Sequence, residues 1–173
     1  ATGKIVWRQA RPKIANYTSP AVVRAAGRTQ MIVAGCNLVS SFDPATGKKL
    51  WEIEEATEEC VVTPATDGER VFTSGGYPKN HTLAVLADGS GKVAWKNTAR
   101  GYVPSMIHEG GCLYGVLDSG IAVCWKSDTG QELWKERLGG DFYSSPVRVG
   151  ERMYATNLKG ATYVFEARPR SEE

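Results

Sequence analysis

A phrase of six residues recurs four times in this chain and constrains its fold more than any other feature. It consists of threonine or serine, glycine, three variable residues and tryptophan, and it occupies residues 2–7, 46–51, 90–95 and 129–134. The four tryptophans are 44, 44 and 39 residues apart. A period of this length is typical of repeat proteins that place one four-stranded unit in each repeat. The spacing therefore predicts a β-propeller.

The segments between these phrases predict the strands. Short apolar runs alternate with glycine, proline and acidic turns, as expected for short antiparallel strands. We expect an all-β protein, a β-propeller of four-stranded antiparallel blades with about four blades in the chain. The predicted repeats are residues 2–45, 46–89, 90–128 and 129–167, followed by a polar tail, residues 168–173.

Each blade is expected to run through three strands and an acidic turn before its tryptophan strand. The predicted first strands are residues 21–26, 61–66, 103–108 and 144–149, and residues 3–7 are expected to form a tryptophan strand of their own. Apolar residues on both faces of several strands fit sheets that are packed between two neighbouring sheets.

Composition excludes several classes of partner. Hydrophobic residues make up 42% of the chain, the net charge is +2, and no window has the run of apolar residues that a membrane span needs. Basic and acidic residues are mixed along the sequence, whereas nucleic-acid binding requires a concentrated basic patch. We therefore expect neither a membrane span nor a nucleic-acid partner.

The tryptophans and glycines of the phrase are expected to be structural. A large flat side chain at the end of each outer strand can cover the next blade, and glycine can adopt the positive φ of the adjoining turn. A surface of tryptophans that stacks on bases or sugars would require them to cluster, whereas a propeller separates them radially. The residues assigned to docking are Trp7, Trp51, Trp95, Trp134, Gly47, Gly91 and Gly130.

The four cysteines are expected to be buried thiols. Cys36, Cys60, Cys112 and Cys124 lack the spacing of a zinc or redox site and lie in apolar runs. A hairpin that pairs Asp118 with Ile121 would place Cys112 opposite residue 127, so a disulfide to Cys124 is not expected. Residues 1–6 show no signal peptide, as in a mature, processed or excised chain.

The repeated phrases and their flanks resemble a known family. DPATGKKLW and KSDTGQELW, together with the strands SSPV and YVFEA, are similar to the tryptophan-docking repeats of pyrroloquinoline-quinone (PQQ)-type β-propellers. The resemblance covers essentially the whole chain and extends to bacterial extracytoplasmic scaffold propellers. It implies a periplasmic or cell-surface location, and such propellers commonly have seven or eight blades.

The resemblance leaves two functions open. The leading interpretation is a non-enzymatic scaffold or binding module, and the alternative is a catalytic or cofactor-binding piece of a PQQ-dependent oxidoreductase that uses calcium. Quinoprotein dehydrogenases typically carry two adjacent cysteines and a catalytic aspartate, and this sequence has no adjacent cysteines and no aspartate that matches. No catalytic, cofactor-binding or metal-binding residue is assigned, and no cofactor is expected.

The candidate binding residues lie in the loops of one face. Function in propellers usually resides in such loops, and an acidic run there can be a docking patch for a basic partner or a solvated rim. An exposed aromatic and proline at a loop tip suit a peptide or glycan, or simply decorate the loop. The candidate residues for a protein, peptide or glycan partner are Glu54, Glu55, Glu58, Glu59, Tyr77, Pro78, Lys79, Tyr102 and Tyr143.

The strand count suggests how the propeller closes. Residues 3–7 are predicted to be a strand without partners, and the last repeat is predicted to lack its fourth strand. Three arrangements fit: a closed four-bladed ring, a two-chain eight-bladed ring with strand exchange in a homodimer, and part of a longer propeller. We rank the homodimer and the longer propeller above the four-bladed ring.

Overall fold

A computed structural model describes residues 2–169 and confirms the fold class. The described chain contains fifteen strands arranged in four antiparallel sheets, and none of these sheets is closed. Each sheet is one blade, and its strands are neighbours in the order in which they occur in the sequence. Blade 1 consists of β1 (Ala21–Ala25), β2 (Arg28–Gly35), β3 (Leu38–Phe42) and β4 (Lys49–Ile53).

The other three blades repeat this arrangement, although the last is incomplete. Blade 2 consists of β5 (Ala65–Thr66), β6 (Arg70–Gly75), β7 (His81–Leu86) and β8 (Val93–Asn97). Blade 3 consists of β9 (Ile107–Glu109), β10 (Cys112–Val116), β11 (Ile121–Lys126) and β12 (Glu132–Arg137). Blade 4 has three strands, β13 (Val147–Val149), β14 (Arg152–Thr156) and β15 (Thr162–Glu166), so β15 is a free edge among the described residues.

Neighbouring blades are held together by rows of cross-strand partners. We call a row that faces the next blade in the sequence a forward row, and one that faces the preceding blade a backward row. Each of the first three blades has a forward row that ends in tryptophan; the rows are Ile32–Ser41–Trp51, Phe72–Ala84–Trp95 and Tyr114–Cys124–Trp134. They pack against backward rows in the next blade, namely Val71–Val85, Leu113–Trp125 and Met153–Phe165. The core is therefore a stack of three interblade layers.

Two tryptophans dock on the turn of the following blade in the same way. The Trp7 indole N–H donates to the Pro44 carbonyl at 2.9 Å, and the Trp95 indole N–H donates to the Ser127 carbonyl at 2.8 Å. A β-carbon built on Gly47 would lie 2.7 Å from the Trp7 ring, and one built on Gly130 would lie 2.5 Å from the Trp95 ring. Only glycine allows these rings to approach so closely.

Trp51 docks through an inserted glutamine. Its indole N–H donates to the Gln30 amide oxygen at 2.7 Å, and the Gln30 amide nitrogen donates to the carbonyls of Ala25 and Ala87, both at 2.9 Å. Gln30 is completely buried and thereby links blade 1 to blade 2. The structure places Gly91, which was assigned to docking, against Ile53 instead of a tryptophan.

Several predicted strand boundaries are wrong. The first strands of blades 2, 3 and 4 are only two or three residues long, and all of them start after a proline, which cannot donate to a ladder, although β1 also follows a proline and has five residues. Residues 3–7, predicted as a strand, have no strand conformation and do not pair with β15. The closed four-bladed ring is therefore not formed by this chain.

The cysteines are buried and unpaired, as predicted. Cys112 lies opposite Lys126, one residue from the position predicted, because the β10–β11 ladder ends at the pair Val116 and Ala122.

The predicted tail begins inside the fold: the Arg168 carbonyl accepts a hydrogen bond from the Trp134 indole at 2.9 Å. Residues 170–173 lie outside the described residues.

Candidate functional site

A groove between blades 1 and 2 contains four of the candidate binding residues. Its volume is about 530 Å³, within the range of small-molecule and peptide sites. Four segments form it: the turn between β2 and β3, the chain that leaves β4, the loop between β6 and β7 with the start of β7, and the end of β8 with the residues that follow. The residues lining the groove are Asn37, Glu54, Glu55, Ala56, Thr57, Pro78, Lys79, Asn80, His81, Leu83, Lys96, Asn97 and Thr98.

The groove has an apolar base and a charged rim. Leu83 is 1% exposed and belongs to the core layer between blades 1 and 2, so the base is continuous with the interior. On the rim, the Lys96 ammonium lies 3.2 Å from a Glu55 carboxylate oxygen. Glu54 and Lys79 are exposed, and neither has an ion-pair partner within residues 2–169. The rim thus offers one free carboxylate and one free ammonium group.

A second cluster, next to the groove, joins Glu59 of the acidic run to Tyr77 and Tyr102. The Tyr102 hydroxyl donates to a Glu59 carboxylate oxygen at 2.7 Å, and this bond raises the pKa of Tyr102 to about 12. The Glu59 backbone N–H donates to the Tyr77 carbonyl at 3.3 Å. The Tyr77 side chain is 53% exposed and precedes Pro78 across a cis peptide bond. Tyr77 therefore stands at the margin of the groove with an accessible ring.

Two candidate residues belong neither to the groove nor to the cluster beside it. Tyr143 is 56% exposed on the connection between blades 3 and 4. Glu58 contributes its backbone carbonyl, which accepts the Cys36 N–H at 2.6 Å. Sequence reasoning did not select His81 and Lys96 for this site, because neither has a partner at a recognisable spacing and only the approach of two blades brings them to the rim. The aromatic and proline predicted at a loop tip, Tyr77 and Pro78 in the GGYPKNH loop of residues 75–81, were the signal that located one wall.

His81 gives the groove a pH dependence. Burial lowers the pKa of His81, the nearby Glu55 carboxylate raises it, and the Lys96 ammonium lowers it. The Nε2 atom of His81 is buried and has no hydrogen-bond partner within residues 2–169. Burial also lowers the pKa of His108, which stacks on Phe72. Both rings therefore bind a proton less readily in the folded protein than in the unfolded chain, where a histidine titrates near its ordinary value of about 6.5.

We expect the unfolding temperature to decrease as the pH is lowered from about 7.5 to about 5, because a lowered histidine pKa stabilises the fold only above the unfolded value. Thermal unfolding followed by circular dichroism would measure this. The carboxyl groups with lowered pKa, such as Asp43 and Asp67, titrate below this window and lose their stabilisation only at more acidic pH. A double variant, His81→Gln with His108→Gln, should show a smaller decrease, and an unchanged decrease would contradict this explanation.

The described residues do not fit a quinone with calcium. The four cysteines are buried free thiols on four different segments, so no pair of adjacent cysteines can cover a quinone. Within residues 2–169, no three side chains of histidine, cysteine, aspartate or glutamate lie close enough together to hold a metal ion. We therefore derive no redox step for this chain. The described part of the chain also has no helix of the length and apolarity needed to cross a bilayer.

Four consecutive antiparallel blades joined by tryptophan docking define a β-propeller of PQQ-like repeats. The sequence matches the family described as outer membrane protein assembly factor BamB over residues 1–136 and again over residues 79–172. The chain therefore belongs to the BamB family. The comparison with curated proteins gave no match.

Solved structures have the same fold at low sequence identity. BamB from Moraxella catarrhalis aligns with a TM-score of 0.73 and 14% identity over 97% of this chain and 54% of that chain. The computationally designed Ika4 protein aligns with a TM-score of 0.69 and 12% identity over 95% of this chain and 99% of that chain. A europium-containing methanol dehydrogenase aligns with a TM-score of 0.52 and 17% identity over 61% of this chain and 22% of that chain. The chain thus spans about half the length of BamB.

Proposed function

We propose that the protein is a non-enzymatic scaffold of a bacterial extracytoplasmic compartment, periplasmic or at the cell surface, and that it binds a protein partner. Membership of the BamB family supports the scaffold role and the location. The groove between blades 1 and 2 carries the proposal of a binding site, because it combines an apolar base with unpaired rim charges. The proposed scaffold acts as a homodimer joined by strand exchange between blades.

The chemistry of the groove favours a peptide segment over a glycan. Sugar sites usually present the face of a tryptophan or tyrosine; no phenylalanine, tyrosine or tryptophan lines this groove, and Tyr77 lies only at its margin. Three amides, those of Asn37, Asn80 and Asn97, can both donate to and accept from a peptide backbone. The apolar base at Leu83 suits one small apolar side chain of a bound segment, and Glu54 and Lys79 suit opposite charges on either side of it.

Groove variants test this proposal. We expect an immobilised library of short peptides to contain sequences that bind the protein, and a double variant, Glu54→Lys with Lys79→Glu, to weaken the binding of charged sequences by at least tenfold, about 1.4 kcal/mol. Affinities would be measured by isothermal titration calorimetry with the selected peptides. Leu158→Ala is a matched control, because Leu158 is 59% exposed and lies outside the groove. If no peptide binds, or if the double variant binds as the control does, the groove is not the site.

The quinoprotein alternative is tested separately. Adding PQQ and calcium chloride to the protein is expected to leave its unfolding temperature unchanged, because a ligand raises that temperature only when it binds the folded state. Differential scanning calorimetry, together with quinone absorbance after dialysis, measures both effects. A calcium-dependent rise of several degrees with retained absorbance would replace the scaffold proposal by the quinoprotein one.

A further inference from the structure

The exposed apolar residues concentrate at the two open ends of the blade stack. Eleven large hydrophobic side chains are exposed among the described residues, and six of them lie at these ends. Ile5, Val6 and Val22 are 77%, 83% and 62% exposed at the blade 1 end. At the blade 4 end, Val147, Val149 and Val164 are 59%, 63% and 53% exposed. Apolar residues gathered in this way mark an interaction surface.

The blade 4 end presents a forward row that lacks its last member. Val147, Tyr154 and Val164 are direct cross-strand partners, and the row faces away from blade 3. In blades 1 to 3 the corresponding row continues into a fourth strand and ends in tryptophan. Blade 4 has no fourth strand among the described residues, so the position of that tryptophan beside Val164 is open.

The blade 1 end presents the complementary parts. Its backward row is Val22–Met31–Phe42, in which Val22 is exposed and Met31 half-buried, whereas Phe42 is buried. Trp7 contacts the Pro44 and Gly47 turn of blade 1 in the way that Trp95, from the outer strand of blade 2, contacts the turn of blade 3. Residues 3–7 therefore already lie where the outer strand of a preceding blade would be. Ile5 and Val6 are exposed, and no described residues form the three inner strands of such a blade beside them.

We propose that a second copy of this chain supplies the missing parts, so that two copies form a closed ring of eight blades. Residues 3–7 of each copy become the fourth strand of blade 4 in the other copy. The completed forward row then packs on Val22, Met31 and Phe42 of the copy that contributed the strand. Two identical junctions close the ring with twofold symmetry and leave no free edge at β15. This inference specifies the homodimer of the proposed function and does not depend on what the groove binds.

The existing blades predict the register of the exchanged strand. Tryptophan lies opposite Ser41 in blade 1, Ala84 in blade 2 and Cys124 in blade 3. Val164 holds the same place in blade 4, because it pairs with Tyr154 as Cys124 pairs with Tyr114 in blade 3. Trp7 of the second copy is therefore expected opposite Val164. A bulge follows the tryptophan pair in each complete blade, and it would place Ile5 of the second copy opposite Phe165.

The mass of the 173-residue protein in solution tests the ring directly. Light scattering on a sizing column at two protein concentrations should give about twice 18.8 kDa. A monomer at both concentrations would overturn the proposal, and so would a mass that rises beyond two copies, since an unclosed head-to-tail contact forms open chains.

Two charged variants and a control locate the junction. Val164→Asp and Val6→Asp should each halve the mass, because both introduce an unpaired carboxylate into the junction, whereas Leu158→Asp should leave the mass of the dimer unchanged. Val6 would hold the bulge position that Leu50 and Leu133 fill against the interblade layers of blades 1 and 3. Circular dichroism should show that both monomers keep their β structure, since Val164 and Val6 are exposed in the single chain. Mixing the two monomers should restore part of the dimer, because one junction of the mixed ring is intact.

If Val164→Asp and Val6→Asp keep the mass of the Leu158→Asp control, the dimer forms elsewhere and the proposal is wrong. Peptide binding by the monomeric variants separates this result from the proposed function. A monomer that still binds groove peptides would leave the groove site standing, and a dimer that binds none would leave the ring standing.

Discussion

Replacing Gln30 by leucine is expected to lower the free energy of unfolding by about 3–5 kcal/mol, because buried groups left without partners each cost about 1–3 kcal/mol. The side chain is completely buried and joins the Trp51 indole to the carbonyls of Ala25 and Ala87. Its amide oxygen also accepts the Ser41 hydroxyl at 2.6 Å. Leucine can replace none of these bonds, so at the junction of blades 1 and 2 two donors and two acceptors would lose their glutamine partner.

Urea unfolding followed by tryptophan fluorescence measures this loss. Gln131→Leu is the matched control, since Gln131 is exposed, and a surface substitution of this kind changes stability by about 0.5 kcal/mol or less. If Gln30→Leu is no more destabilising than the control, the glutamine does not connect the two blades.

Replacing Gly130 by alanine is expected to lower the free energy of unfolding by about 3 kcal/mol or more, because the substitution adds both backbone strain and overpacking. The glycine has a φ of +72°, and an added β-carbon would lie 2.5 Å from the Trp95 ring. The ring cannot move away without losing its hydrogen bond to Ser127 and its contacts in the layer between blades 2 and 3. This variant measures what tryptophan docking contributes to that junction.

Gly160→Ala separates strain from docking. Gly160 has a similar φ of +81°, but an added β-carbon would meet no atom within 4 Å. Replacing Gly160 by alanine should lower the free energy of unfolding only through backbone strain, by about 1–2 kcal/mol. In chemical denaturation, the difference between the two alanine variants should shrink when Trp95 is also replaced by leucine. Equal losses at Gly130 and Gly160 would show that the close ring contact contributes little.

Local patterns predicted the repeating part of this protein. The spacing of the four tryptophans predicted the propeller, and the glycine after each acidic turn was correctly expected to have a positive φ, as at Gly47 and Gly130. These features follow from interactions within a few residues, so they are readable from the sequence. The strands before β6 and β10 were predicted too long because apolar residues such as Val62 are buried outside any ladder.

Contacts between blades were not predictable in the same way. Nothing in the phrase distinguishes Trp51 from Trp95, yet the first bonds a glutamine side chain and the second a backbone carbonyl. Gln30 lies in an apolar strand where a polar residue gives no sign of its partners. The candidate residues of the acidic run and the GGYPKNH loop were selected separately, and which of them share a groove depends on the distance between two sheets.

The sequence by itself determined the repeat length, the strand order within a blade and the positions of the docking tryptophans. These depend on alternation, turn chemistry and side-chain size, which act over short stretches of chain. Only the tertiary structure decided that Gln30 joins two blades, that His81 and Lys96 border a groove, and that residues 3–7 lie on blade 1 without pairing with β15. The reason is that each of these features is a contact between residues far apart in sequence, and its geometry is set by how one twisted sheet packs on the next.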